Sequence, residues 1–510
     1  TNHFIPRDGF KGLKENWRSD LFAAISVSLV ALPLALGIAV ASGMSPMSGV
    51  LSAIIGGVVT TFFRGGHLTI NGPAAGLIAA ILGGLVALDY NINYVLAAIV
   101  VSGGIQILLG VFKLGRFAKL LPSSVLHGIL AAIGVIIIAK QAPYALGTTS
   151  DADTVIGNLL DIFYKLPDAN PFVFIVALAG ILILVFYKKT NNKIIRAIPA
   201  PMWVLLLALP MVIGFDFFNE HSISFLGKSY GVGPKLLIDI PEDPLDCIMH
   251  PDFAMIGTMA FWLTVLSITT IASIVTLASA RAVDKLDPYK RTTNLNKDLI
   301  GVGISTMVSG ALGGLPITSV IVRSTVNVNN NAKTKWSNLY HGIFLILFVL
   351  ILAPVLRSVP LAALAAILVH TGFKLASPLV FKHAYDQGVE QLFFLSSTLI
   401  ITLFSNLLYG IMGGILITLI SHILLARVGF LPFFKMIYRS GSKVDRLENG
   451  SYDVKLKGIS NFLYALQLDK LLEEIPLGSI VRIDMSKTRL VDLSIMENVI
   501  DFKRIQDNNG

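Results

Sequence analysis

Apolar stretches recur along the chain from about residue 21 to about residue 430, with charge confined to the gaps between them. Stretches able, or nearly able, to cross a hydrocarbon core of ~30 Å run over 21–41, 46–63, 73–88, 94–112, 122–141, 171–187, 201–217, 253–280, 299–312, 316–328, 338–356, 359–373, 390–407 and 409–428. The pattern predicts about fourteen helical spans, numbered here in chain order. After Arg427 it changes. Tyr452 to Leu456 alternates as a strand, Asp469 to Ile475 has helical spacing, Ser479 to Met485 alternates again and Leu493 to Gln506 is helical. The predicted organisation is an N-terminal segment over 1–20, a transmembrane domain over 21–430 and a small α/β domain over 431–510. That α/β pattern calls for a further strand beyond Gly510, as in a truncated form of a longer protein.

Charge tests the span count. Loops after even-numbered spans are basic, with Arg64, then Lys113 and Arg116, then Lys188, Lys189, Lys193 and Arg196, then Arg281 to Lys297. The long loops after odd-numbered spans are acidic, with Asp151, Asp153, Asp161 and Asp168 in one and Glu220, Asp239, Glu242, Asp243 and Asp246 in the other. The positive-inside rule then puts both termini in the cytoplasm, as expected for a multi-pass protein of an inner membrane. The segment before residue 21 has no signal-peptide pattern. Phe10, Leu13 and Trp17 fall at helical spacing among basic residues, which fits either an amphipathic surface helix or a plain juxtamembrane stretch.

Composition agrees. Hydrophobic residues make up 54% and charged residues 14% of the 510-residue chain, and mean hydropathy is +0.74. These values exclude a soluble enzyme, a disordered chain and a nucleic-acid binder. The net charge of +9 sits between apolar spans. Cys247 is the single cysteine, so no intramolecular disulfide forms.

Two spans are too short. Residues 73–88 and 316–328 would rise roughly 24 Å and roughly 20 Å as helices. Each opens on proline, favoured at the first helical position, after residues that resist helix: His67 to Gly72 in one case, Gly313 to Leu315 in the other. They are the third and tenth spans, seven apart, as two inverted halves of seven would require. The expected geometry brings both helix starts together near the bilayer centre, the pattern that marks a transporter's binding site. Each start carries about +0.5 charge and free N–H donors, which suits a small anion. Thr318 and Ser319 would add hydroxyls from the first turn of the second helix, and Ala74, Ala75 and Gly76 would leave the first open to close approach. The plainer alternative is two proline-kinked packing helices.

Arg323 is a charge at membrane depth, expected to face a cavity unless it snorkels to the cytoplasmic side. The spans show no evident buried carboxylate to pair with it. Span 8 is rich in hydroxyls, with Thr269, Ser273, Thr276 and Ser279 roughly on one face, for an ion pathway or for close packing. Gln106, His127, His341, His370 and His422 are further polar residues in the spans. Such residues are more often glue between helices, and no pair has metal-ligand spacing.

These residues resemble the SulP-type anion transporters (solute carrier family 26). Asn71-Gly72-Pro73-Ala74-Ala75-Gly76-Leu77 is similar to that family's third-span signature. Ala282 to Pro288 with Leu299-Ile300-Gly301 resembles its span 8–9 connection. Gly313 to Ser319 with Val322-Arg323-Ser324 resembles its tenth span. The resemblance implies an all-α polytopic fold of fourteen spans in a 7+7 inverted repeat, core and gate subdomains, a homodimer and a C-terminal STAS domain. It implies no enzyme, but a secondary transporter of a small anion working by alternating access, with Pro73, Ala74, Ala75, Gly76, Pro316, Ile317, Thr318, Ser319 and Arg323 at the site. Asp484-Met485-Ser486 and Asp492-Leu493-Ser494 resemble the STAS strand-end motif, with Ser494 expected as a helix cap. The Asp284 to Arg291 stretch and Phe462-Leu463 are most similar to bacterial members associated with carbonic anhydrases, which points to bicarbonate ahead of sulfate, chloride or dicarboxylates, and to carbonic anhydrase as a partner. Where the family usually has an acidic residue in span 8, this chain has Val275, with Ser279 one turn on. That implies weak or absent coupling to a proton gradient and an impaired Na+ site around Val275, Thr276 and Ser279. An uncoupled leak or channel is the alternative.

Overall fold

The computed structural model describes residues 5–507, apart from 8, 151, 153, 193–194, 197, 242–246, 449 and 477. Asp151, Asp153, Lys193, Glu242, Asp243 and Asp246 of the charged loops lie outside the described residues.

Each of the fourteen predicted segments contains one helix. The first runs unbroken from Gly9 to Ala41, so the basic N-terminal stretch is a continuation of the span 1 helix and not a separate surface helix. No residue between Gly9 and Ala41 breaks it, and Asn16 and Asp20 are buried within it. The helix stops where Gly43 takes φ +72°, and Pro46 opens span 2, Pro46–Phe63, as its first residue. Asparagine and threonine side chains cap several later starts. Asn91 accepts from the Asn93 N–H, Thr258 from Phe261, Asn294 from Lys297 and Asn406 from Tyr409.

The chain divides into two compact units, residues 1–115 with 133–376 and residues 116–132 with 377–510. In the first, glycines bring helices into near-backbone contact, the usual device where lipid supplies no hydrophobic drive between helices. A Cβ on Gly103 of span 4 would lie 2.6 Å from the Gly303 carbonyl oxygen of span 9, and one on Gly57 of span 2 would lie 2.6 Å from the Gly342 Cα of span 11. This unit also holds a hairpin in the second acidic loop, His221–Phe225 against Lys228–Val232. The alternation of His221-Ser222-Ile223-Ser224-Phe225 is its sequence signal, and Leu226 and Gly227 both take positive φ in the two-residue turn.

In the second unit, Tyr452–Ser460 pairs in parallel with Val481–Val491, and Lys443–Arg446 adds an antiparallel edge. Helix Ala465–Glu473 connects the parallel pair, and Leu493–Asp507 follows. Val454, Leu456, Tyr464, Leu468, Leu472 and Ile495 form its core with Phe433 and Ile437. Asp492, not Ser494, caps the last helix. Its carboxylate accepts from the Ile495 N–H at 2.9 Å and the Phe462 N–H at 2.6 Å. Ser494 is the second residue of that helix, and its hydroxyl accepts from the Ser123 N–H at 3.3 Å. Asp492 wins the cap because it stands directly before the first helical residue. Burial pushes its carboxyl up to about 7, against the hydrogen bonds that lower it.

Candidate functional site

Residues 71–72 and 318–319 form a two-residue antiparallel ladder, Asn71 opposite Ser319 and Gly72 opposite Thr318. The Val320 N–H extends it by donating to the Ile70 carbonyl at 2.9 Å. Two interrupted spans therefore cross through their extended segments, each satisfying backbone groups that a helix would otherwise satisfy.

The helices beyond the crossing start later than the prolines suggest. Pro73 and Ala74 are extended, Ala75–Leu77 is a 3-10 turn and the α-helix is Ile78–Ala87. On the other side, Pro316 and Ile317 belong to the extended lead-in, Thr318 and Ser319 are strand, and the helix is Ile321–Asn329. Thr318 and Ser319 thus lie before the first helical turn, not in it. β-Branched Ile317, Thr318 and Val320 favour extended backbone, and span 9 supplies partners for it. Thr306 Oγ1 accepts from the Ile317 N–H at 3.1 Å, and Ser309 Oγ donates to the Leu315 carbonyl at 2.6 Å.

The later start places Arg323 in the first turn of its helix rather than two turns below. Arg323 is fully buried, and none of its three guanidinium nitrogens has a hydrogen-bond partner among the described residues. Snorkelling is excluded by that burial. The guanidinium lies over the Gly72 backbone, where a Cβ would sit 2.5 Å from Nη1. Thr318 Oγ1 is likewise buried without a partner.

Span 8, Met259–Leu286, stands against both halves of the crossing. The Thr276 hydroxyl accepts from the Ser319 N–H at 3.4 Å. Its neighbour Val275 meets the other half, with Cγ2 3.3 Å from where a Gly76 Cβ would be. Thr269, Ser273 and Ser279 are buried as well. Gln106 Nε2 donates to Ser273 Oγ at 3.4 Å.

The expectation of no buried carboxylate is corrected. Asp298 lies within the first helical turn of span 9, Leu295–Ala311, and is fully buried. It accepts from the Gly66 N–H at 3.2 Å and the Ser319 hydroxyl at 3.1 Å. Asn71 Nδ2 donates to the same Ser319 oxygen at 3.0 Å, and Arg64 Nη1 donates to Asn71 Oδ1 at 3.3 Å. Asp298 looked like a loop residue because the apolar run starts only at Leu299, while the Asn294 cap starts the helix before it. Asp20 is buried too, accepting from the Lys333 and Thr334 N–H groups. Neither carboxylate hydrogen-bonds to Arg323.

Sequence reasoning set His341 aside as a weak signal. It is fully buried in span 11, Trp336–Arg357. Its Nδ1 lies 3.2 Å from Ser28 Oγ, and its Nε2 has no partner among the described residues.

Many apolar helices, two of them interrupted and crossed around an unpaired buried cation, define a polytopic membrane protein of the secondary-transporter class. Residues 17–395 match the sulfate permease family, and the chain belongs to that family of anion transporters. It is 28% identical over 417 residues to the putative sulfate transporter YvdB of Bacillus subtilis, covering 81% of this chain and 75% of that protein. It is 25% identical to the bicarbonate transporter BicA of Picosynechococcus, covering 79% of this chain and 69% of that one. The solved transmembrane domain of a cyanobacterial BicA superposes with a TM-score of 0.67 at 22% identity, covering 79% of this chain and 98% of that domain. The named relatives are transporters and not enzymes.

Proposed function

We propose that this protein carries a small inorganic anion across the inner membrane by alternating access, with bicarbonate first among the substrates and sulfate, chloride or a dicarboxylate behind it. The observation that carries this reading is Arg323, fully buried and unpaired at the crossing of two interrupted helices. A buried cation without a partner is costly, and an anion arriving beside it recovers that cost. The N–H groups at the two helix starts add donors from the backbone. On this reading Pro73 to Gly76 and Pro316 to Ser319 frame the substrate. The ranking of bicarbonate rests on BicA among the relatives and on the Asp284 to Arg291 stretch.

The fourteen spans form a 7+7 inverted repeat with core and gate subdomains, both termini are cytoplasmic, and the residues after 430 belong to a STAS domain. The working unit is a homodimer, and carbonic anhydrase is the natural partner for a bicarbonate load. A Na+ site, where one forms, lies around Val275, Thr276 and Ser279 and lacks a charged ligand.

A second reading, an uncoupled anion leak or channel, is favoured by Val275. Its methyl groups occupy the place against Gly76 where a carboxylate would serve a coupling cation. Uptake of labelled bicarbonate, sulfate and chloride into proteoliposomes, with and without Na+ and proton gradients, tests the first reading. Unitary currents in a planar bilayer would establish the second. Absence of flux for every small anion would defeat both.

A further inference from the structure

The connection between spans 2 and 3 passes through Gly65 and Gly66 and packs on the connection between spans 8 and 9. Gly66 is buried. A Cβ built on it would stand 2.6 Å from Thr69 Oγ1, 3.3 Å from Asp298 Oδ1 and 3.4 Å from Thr293 Oγ1, its three nearest atoms outside the adjoining chain. Three side-chain oxygens from three places in the chain therefore face one small space. The missing side chain of Gly66 keeps that space open.

The hydrogen bonds around the space leave lone pairs facing it. Thr293 Oγ1 gives its one hydrogen to Asp284 Oδ1 at 2.6 Å, and the Thr293 N–H donates to Asp284 Oδ2 at 2.8 Å. Asp298 Oδ1 accepts from the Gly66 N–H at 3.2 Å, while its Oδ2 accepts the Ser319 hydroxyl at 3.1 Å. Thr69 is 1% exposed, and its Oγ1 has no hydrogen-bond partner among the described residues. It does not donate across the gap to Asp298. A buried hydroxyl in that state has given up its bonds to water for nothing, and a cation between the three oxygens answers it.

Charge selects the kind of cation. Asp284 and Asp298 bring two negative charges. Arg64 brings one positive charge to the same turn, where its Nε donates to the Gly66 carbonyl at 2.7 Å and its Nη1 to the Thr69 carbonyl. The balance of the three is one negative charge in a largely buried place, which is costly until it is matched. A monovalent cation matches it and a divalent one overshoots. Carboxylate and hydroxyl oxygens suit a hard cation, and no soft ligand is among them.

We propose that Thr69 Oγ1, Thr293 Oγ1 and Asp298 Oδ1 hold an alkali-metal cation over Gly66, which staples the span 2–3 connection to the start of span 9. Water completes the coordination on the side of Asp284, which is only half-buried. The site lies apart from the region around Val275, since Val275 and Asp284 are about 13 Å apart along the span 8 helix. Its ion is structural and needs no anion at Arg323. Through Asp298 Oδ2 it steadies Ser319 in the ladder at the crossing.

The test is the thermal midpoint of the whole purified chain in choline chloride and, at equal ionic strength, in sodium chloride and in potassium chloride. Chloride is constant, so the anion site is equally filled in every arm. The midpoint should rise by about 1 °C for each ten-fold increase in Na+ or K+, and the arm with the larger rise names the ion. Thr69→Val keeps the side-chain shape and removes the unpartnered hydroxyl. In choline chloride its midpoint should equal or exceed that of the natural protein, whereas its rise with the alkali salt should vanish. Gly66→Ala, whose methyl group fills the space, should lose the rise as well. Equal midpoints of the natural protein in all three salts would overturn the proposal. So would a Thr69→Val variant that differs from the natural protein by the same margin in every salt, which is the behaviour of a hydroxyl that holds no ion. A larger rise in calcium chloride at equal ionic strength would overturn the monovalent assignment.

Discussion

The Arg323 guanidinium rests directly on the backbone of Gly72, with no room between them for even a methyl group. That contact joins the two interrupted spans at their crossing and holds a cation that has no hydrogen-bond partner among the described residues. A Gly72→Ala variant should fold and reach the membrane yet lose most anion uptake, because the Cβ displaces the guanidinium while the ladder with Thr318 can persist. Initial uptake rates normalised to membrane-inserted protein check this, and normal uptake at low substrate would separate Arg323 from the anion.

Arg323 itself should show a graded response. Arg323→Lys keeps the charge and loses the planar fork, whereas Arg323→Gln loses both. Loss of a charge-assisted hydrogen bond costs about 1.5–3 kcal/mol, so the glutamine variant should raise the KM for the anion by roughly 10- to 100-fold. The lysine variant should fall between it and the natural protein.

Val275→Glu restores a carboxylate in span 8, one residue from Thr276 and its bond to the Ser319 N–H. A carboxylate a few ångströms from Na+ contributes several kcal/mol even at an effective dielectric of ~20. Uptake by this variant should become Na+-dependent, while the natural protein is indifferent to Na+. Strict Na+ dependence of the natural protein would redirect attention to Thr276, Ser279 and the carbonyls near Pro316.

Asp298 ties the strand residue Ser319 to the Gly66 turn. Asp298→Ala leaves both donors without their acceptor in a dry place, at about 1–3 kcal/mol for each. The thermal midpoint in detergent should fall clearly, whereas Asp298→Asn, which still offers one oxygen, should fall less. Equal midpoints for the two variants would show that the carboxylate holds nothing in place.

In the C-terminal unit the Asp492 carboxyl is raised to about 7 by burial, well above the usual carboxylate value. Between the two values the folded state keeps a proton that the unfolded chain releases, so stability falls as pH rises from about 4 to about 7. Hydrogen exchange of the Tyr452–Ser460 strand, corrected for intrinsic rates, should report that fall. Asp492→Asn should flatten it.

The helices of the fold were legible because apolar length and loop charge are written locally. The crossing was legible only in outline. Paired short spans led to residues 71–76 and 316–319, but proline rules set the helix starts too early, since a long-range two-residue ladder holds Thr318 and Ser319 extended. Asp298 was missed because hydropathy cannot see a polar first turn folding beneath a neighbouring helix. The position of Val275 against Gly76 is a contact between segments about 200 residues apart, which no local pattern carries. His341 was visible as a polar residue in span 11, but its contact is with Ser28, about 300 residues away.

The most direct test of the central claim is the structure of the whole protein determined with its transported anion at saturating concentration. The account predicts density for the anion within hydrogen-bond distance of the Arg323 guanidinium, at the crossing of residues 71–76 with 316–319. An anion bound elsewhere, with Arg323 still free of any partner, would contradict it.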